Sequence, residues 1–394
     1  MSTTVAPTPN THETPRRSRG DRLRAGAVRL GHLVSTTRAA HQAAAFRIGL
    51  ALVIAAFLCR EWPHRRVLYG DRSPLSYDMA LELGRLDETF SLLQWSGGRV
   101  WFEIVYSLTL ASAFAVLVGW RTRTMSVLLM VGVLSLENRN PLVGDGGDTV
   151  LRIMVIYLVF TRCAQVWSLD AWRTRVRSRK GSLGPDRTGI TLWAATGLFL
   201  LLGFGWDTGW PLLLWTLWGV QGLWYAARYW YPESEFRALL DAGASMLHNA
   251  AMLTIAAQVC LIYATSGWYK VQGSRWEQGS ALHYALNLEY FSPWPWLSAL
   301  LAGNAVLVLL LSYGTVILQV GFPFTLANRK VKNVLIAVMM LEHIGIAVLL
   351  GIPFFSLAMV ACDAVFLPTG FLTTIGARCR SGYAQFRVLT VAGK

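Results

Sequence analysis

The chain has 394 residues, of which 54% are hydrophobic and only 15% charged, too few charges for a fully solvated surface. A net charge of +14 would suit a nucleic-acid partner in a soluble protein. Here the basic residues gather in alternate loops between apolar runs, so no nucleic acid is expected and the partner is a lipid bilayer. Seventeen tryptophans fit anchoring at two membrane interfaces.

Residues 1–42 carry Arg16, Arg17, Arg19, Arg22, Arg24, Arg29 and Arg38 among Ser, Thr and Pro, and read as a disordered basic cytoplasmic tail. No cleaved signal is expected, because the first apolar run begins too far along the chain. From 43 to 372 the sequence reads as an all-α, polytopic integral membrane bundle of about ten transmembrane helices. These are expected near 43–59, 101–120, 124–137, 150–167, 189–206, 209–227, 246–267, 297–326, 334–351 and 353–372. Residues 184–235 read as an inserted helical pair, either two full spans or a re-entrant pair, divided at Gly205-Trp206-Asp207-Thr208-Gly209. Residues 373–394 read as a second basic cytoplasmic tail.

Arg121 and Arg123, the cluster from Arg173 through Lys180 to Arg187, then Arg329, Lys330 and Lys332, then Arg378, Arg380 and Arg387 all fall on one side of a ten-span chain. The segments 60–100, 137–149 and 268–296 fall on the other, so both termini are expected in the cytoplasm.

Cys59, Cys163, Cys260, Cys362 and Cys379 show no C-x-x-C spacing, so neither a disulfide framework nor a structural zinc is expected. No P-loop, H-E-x-x-H or G-x-S-x-G motif occurs in the sequence. The chemistry is therefore sought in polar residues at membrane depth, where an unpaired charge costs several kcal/mol. Arg47, Glu103 and Arg152 are such residues. Glu103 and Arg152 are expected to pair because both lie near the outer ends of their spans, whereas Arg47 fits a structural role or snorkelling.

Three constellations follow. The loop Glu137-Asn138-Arg139-Asn140-Pro141-Leu142-Val143-Gly144-Asp145-Gly146-Gly147-Asp148 breaks the helix and frees backbone polar groups. Asp148 suits a helix cap, and Asp145 with Asp148 also suits a cation or polar substrate, with Arg139 as counter-charge beside Asn140. His248 and Tyr263 share one helical face, and Lys270 follows at the outer boundary. There it either snorkels or acts as a base desolvated by Trp268, Tyr269 and Trp276. Glu342-His343 lies in the ninth span, with Asp363 in the last, and offers either a satisfied buried histidine or a proton relay.

Gly119-Trp120-Arg121-Thr122-Arg123, the NRNPLVGDGGD loop, His248-Asn249, Tyr263 through Ala281, and His343 with Gly345 and Phe355-Ser356 occur in an order that resembles the horizontally transferred transmembrane (HTTM) family. That family includes the membrane part of vitamin K-dependent gamma-carboxylases. The resemblance implies a base at Lys270 that deprotonates a reduced naphthoquinone, a vitamin K-like cofactor, to drive carboxylation of glutamates. Lys270 matches the first lysine of the family's Lys-Lys segment by its distance to Trp276, and Val271 stands in place of the second. The additional domain that the carboxylases carry outside the membrane has no expected counterpart here.

Two function classes result. One is a carboxylase-like enzyme of the plasma membrane acting on an outward-facing polypeptide or small molecule, with Lys270, His248 and His343 as its catalytic residues. The other is a non-enzymatic partner for maturation or export of a secreted peptide, with a transporter as a third reading.

Overall fold

The computed structural model describes Gly31 and residues 35–179, 186–203 and 209–392, with side chains described as far as Ser381. Most of the tail expected over 1–42, Lys180 and the divider from Gly205 to Thr208 lie outside the described residues. Every regular element among the described residues is helical. The main helices are α1 (Ala40–Glu61), α2 (Tyr77–Leu86), α3 (Arg99–Val118), α4 (Thr122–Glu137), α5 (Gly146–Val159), α6 (Leu169–Arg179) and α7 (Arg187–Gly203). They continue with α8 (Trp210–Trp230), α9 (Glu235–Val271), α10 (Pro295–Ala302), α11 (Ala305–Thr325), α12 (Arg329–Leu349), α13 (Pro353–Asp363) and α14 (Thr369–Ala392).

Five of these, α1, α3, α9, α11 and α12, are long and apolar enough to cross a bilayer, and a sixth span is reached if the bent pair α13 and α14 counts as one. The chain therefore has the make-up of a multi-pass membrane protein. Several expected boundaries move, each for a local reason. Residues 297–326 form two helices, because Asn304 takes an extended conformation and caps α11 by accepting from the Leu307 amide at 3.1 Å. The helix expected over 150–167 ends at Val159, and its 14 residues span only about 21 Å at 1.5 Å per residue. The last expected span is broken before residue 372: Leu367 precedes Pro368 and is extended at φ −64, ψ 142, and the axis turns by 110°.

The hub is α1, which packs on α3, α5, α13 and α14. Ala43, Ala44, Phe46, Leu50 and Ala51 are fully enclosed there. At Gly49 the backbones of α1 and α13 come so close that a Cβ would lie 2.8 Å from that of Ala361. Small residues permit close packing where lipid gives helices little hydrophobic reason to associate. A second group, α9, α11 and α12, packs in sequence, and α13 joins it to the hub.

Arg47, 0% exposed, is a packing device. Its guanidinium donates to the Val116 carbonyl at 2.9 Å and the Trp167 carbonyl at 2.7 Å, tying the C-terminus of α3, where Val116 also accepts the Gly119 amide, to the segment before α6. Gly119, at φ +71, leaves space for that guanidinium where a Cβ would lie 2.2 Å from Nη1.

The Glu103–Arg152 pair does not form. Glu103 is bonded by Arg65 at 2.9 and 3.1 Å, because the helical turn Arg65–Leu68 folds back over α3. Arg152 instead lies 3.6 Å from Glu137.

Within the expected inserted pair, α7 and α8 lock through Trp193 and Trp218, stacked with centroids 4.4 Å apart. Each indole N–H donates to the other tryptophan's carbonyl, at 3.0 and 2.8 Å. Gly197 and Gly222 leave the space that the two rings fill.

Candidate functional site

Close approach of α9 and α11 creates the site. A Cβ on Gly267 would lie 2.7 Å from Val320 Cγ2 and 3.0 Å from the Val320 amide nitrogen, so the glycine lets Ser266 and Lys270 reach α11. Lys270 Nζ donates to Ser266 Oγ at 2.6 Å and Gln319 Oε1 at 2.8 Å, and Ser266 Oγ donates to the same amide oxygen at 3.1 Å. The Gln319 amide then donates to Glu342 Oε1 at 3.1 Å, with the Thr315 hydroxyl beside that carboxyl. None of the described ion pairs includes Lys270. Trp276 covers the amine, its ring centroid 5.3 Å from Nζ. Trp268 and Tyr269 do not form the expected wall, being 60% and 73% exposed.

About two helical turns along α9 from Lys270 lies a second layer. Tyr263 Oη donates to the Asp363 carboxyl, at 2.9 and 3.0 Å from its two oxygens, and lies 3.1 Å from His343 Nε2. All three residues are at most 2% exposed. With the phenolic proton committed to Asp363, Tyr263 accepts from His343 Nε2–H, so Nδ1 is the ring's lone-pair nitrogen. That Nδ1 is buried without a hydrogen-bond partner. Phe322 meets Tyr263 edge-on at 5.2 Å, and Phe355 meets His343 at 5.8 Å. Glu342 and His343, neighbours in sequence, thus serve different layers.

The 137–149 loop stands apart from this cluster and borders a cavity of about 250 Å³ lined by Tyr69, Glu137, Asp145, Asp148 and Arg152 together with apolar residues of α1 and α4. Asp145, and not Asp148, is the N-cap of α5: its carboxylate accepts from the amides of Gly147 and Asp148, and Asp148 accepts from the Asp145 amide at 2.8 Å. Arg139 is no counter-charge to them. It donates to the carbonyls of Leu75 and Gly70, while Asn140 donates to that of Leu68 at 2.7 Å, so both hold the 68–75 segment in place. Burial draws the Arg139 guanidinium below its ordinary value and pushes the Tyr69 phenol above its own, leaving Tyr69 a neutral donor or acceptor. Nearby, Arg66 bonds both Asp71 oxygens, holding that carboxyl below the usual carboxylate range.

The loop and the cluster share the first turn of α13. A Cβ on Gly147 would lie 2.9 Å from Phe355 Cα, and Phe354 packs edge-on against Phe57 of the cavity wall at 5.4 Å.

His248 does not join Lys270 and His343. Its ring accepts from the Arg162 amide at 2.9 Å through Nδ1 and, as the Nε2–H tautomer, donates to the Arg38 carbonyl at 2.7 Å. Twenty-two residues along α9 separate it from Lys270, about 33 Å of helix. The site also contains Ser266 and Gln319, which the sequence reading passed over. Gln319 is 5% exposed within an apolar helix, and its amide at such depth was the available signal.

Fold and site together define a multi-pass helical membrane protein with a buried polar cluster shared by α9, α11, α12 and α13. Residues 222–370 match the HTTM domain family, and that matched range holds every residue of the cluster. The 119–123 and 137–149 segments lie outside the matched range. No curated protein and no solved structure shows a significant match to the chain.

Proposed function

We propose that the chain is a plasma-membrane enzyme of carboxylase-like type, with Lys270 as the base of an outward-facing site. It crosses the bilayer ten times, α4, α5, α7 and α8 completing the spans, with both termini cytoplasmic. The division into a basic tail over 1–42, a bundle over 43–372 with 184–235 as an inserted pair, and a second tail over 373–394 belongs to the same proposal.

The observation that carries the reading is the lysine's set of partners. A lysine bonded to a carboxylate is held as an ammonium ion. Lys270 is bonded to a hydroxyl and an amide oxygen, and the Glu342 carboxylate is kept one amide away. Two features fit a quinol-sized ligand bearing hydroxyl groups: the Trp276 face over Lys270, and the unpartnered His343 Nδ1 acceptor. A reduced naphthoquinone, when bound, supplies an acidic hydroxyl and reducing equivalents for oxygen. Lys270 accepts the proton, Ser266 and Gln319 orient its amine, and Tyr263 with Asp363 fixes the tautomer of His343. His248, at the other end of α9, has no part in this site.

The test is oxygen-dependent consumption of reduced naphthoquinone by the purified protein, with and without a glutamate-containing peptide, in wild type and Lys270→Ala. Consumption that disappears in the variant supports the reading. No binding and no consumption would sink it in favour of a non-enzymatic partner for a secreted peptide. That second reading draws on the exposed outer aromatics Tyr269, Tyr290 and Trp296, which offer a binding surface.

A further inference from the structure

The end of the bundle opposite Lys270 gathers arginines around one indole. Trp224, near the end of α8, has the guanidinium carbons of Arg123 at 4.1 Å, Arg237 at 5.2 Å and Arg162 at 5.9 Å from its ring centroid. These come from the start of α4, the start of α9 and the segment after α5, so four separate parts of the chain converge on one spot.

One carboxylate serves this group. Asp241 accepts from Arg162 at 3.0 Å and Arg237 at 3.1 Å, and Arg162 is further fixed by the Asp241 carbonyl and the Ser245 hydroxyl. Glu233 and Glu235, around the start of α9, are exposed and form no described ion pair, and two further acids are committed elsewhere. Asp186 is bonded by Arg121 and lies 3.7 Å from Arg177, and Asp170 accepts the amides of Arg121 and Thr122 and the Thr122 hydroxyl. No described ion pair includes Arg123.

Three positive charges are thus held together against one negative charge, leaving a residual charge of two. The indole face lessens their repulsion without neutralising them. Guanidinium groups present paired N–H donors matched to phosphate oxygens, and an exposed, unpaired Arg123 beside two anchored arginines forms a preorganised cradle for such a group.

We propose that Arg123, Arg162 and Arg237, gathered about Trp224, form a binding site for a phosphate group, carried by an anionic lipid headgroup or free in solution. Arg123 makes the principal contact, and Arg162 and Arg237 are fixed in place by Asp241. The proposal is independent of the chemistry at Lys270.

The experiment measures thermal unfolding of the full-length protein in detergent. It compares added phosphatidylglycerol, phosphatidylcholine and inorganic phosphate for wild type, Arg123→Gln, Arg123→Lys and Arg175→Gln. Arg175 is exposed on α6 and makes no described ion pair, so it controls for general loss of charge. A midpoint raised by phosphatidylglycerol and not by phosphatidylcholine assigns the site to a lipid headgroup; a rise with phosphate alone assigns it to the free anion.

In either case the concentration needed for half the effect should increase roughly tenfold or more in Arg123→Gln, stay unchanged in Arg175→Gln and fall between them in Arg123→Lys. Equal midpoints for the two lipids with no response to phosphate would overturn the proposal in wild type alone, whatever the folding of the variants. An anion effect that survives Arg123→Gln at full strength would overturn it as well.

Discussion

Lys270 Nζ lies 2.8 Å from the amide oxygen of Gln319, and the other end of that amide holds Glu342 at 3.1 Å. One neutral side chain therefore separates a partly buried amine from the nearest carboxylate of its cluster. Replacing Gln319 with Glu would put a carboxylate directly on the amine. With reduced naphthoquinone, Gln319→Glu is expected to slow turnover by roughly tenfold or more, and Lys270→Ala by roughly a hundredfold. A Gln319→Glu protein as fast as wild type would show that the neutrality of this partner is irrelevant.

Gly267 sets the spacing between α9 and α11. In Gly267→Ala the new methyl meets Val320 at 2.7 Å, and the overpacking is expected to cost about 1–3 kcal/mol. Thermal unfolding in detergent measures it. An unchanged midpoint would mean that the two helices separate without penalty and that the Ser266–Gln319 contact is not tightly held.

Tyr263 links Asp363 to His343. Tyr263→Phe removes the hydroxyl and leaves both buried groups without that partner, at a cost of about 1–3 kcal/mol. The same unfolding measurement applies, and a Tyr263→Phe protein as stable as wild type would argue against the three-residue network.

Arg65 and Glu103 are coupled, and Glu103 and Arg152 are not. A double-mutant cycle with Arg65→Gln and Glu103→Gln should return about 0.2–1 kcal/mol, because both side chains are partly exposed. A parallel cycle on Glu103 and Arg152 should return nothing above error. Coupling in the second cycle and none in the first would restore the pairing expected from depth alone.

Orientation is tested by a reporter fused after Asp145. It should report export, because the arginine-rich loops are expected on the cytoplasmic side. A cytoplasmic signal would invert the proposed topology and move the Lys270 cluster to the inner face.

The sequence by itself determined that the chain is helical and membrane-embedded, because apolar length and charge alternation are local properties that a bilayer reads directly. It also brought Lys270, Tyr263, Glu342 and His343 to notice, since polar residues in apolar runs are conspicuous one at a time. Partnership was a different matter. Gly267 decides which side chain Lys270 reaches, the turn at Arg65–Leu68 takes Glu103 from Arg152, and the length of α9 removes His248 from the site. Only the tertiary structure settled these, because hydrogen bonds act over about 3 Å, and which groups come that close depends on helix crossings between residues tens to hundreds of positions apart.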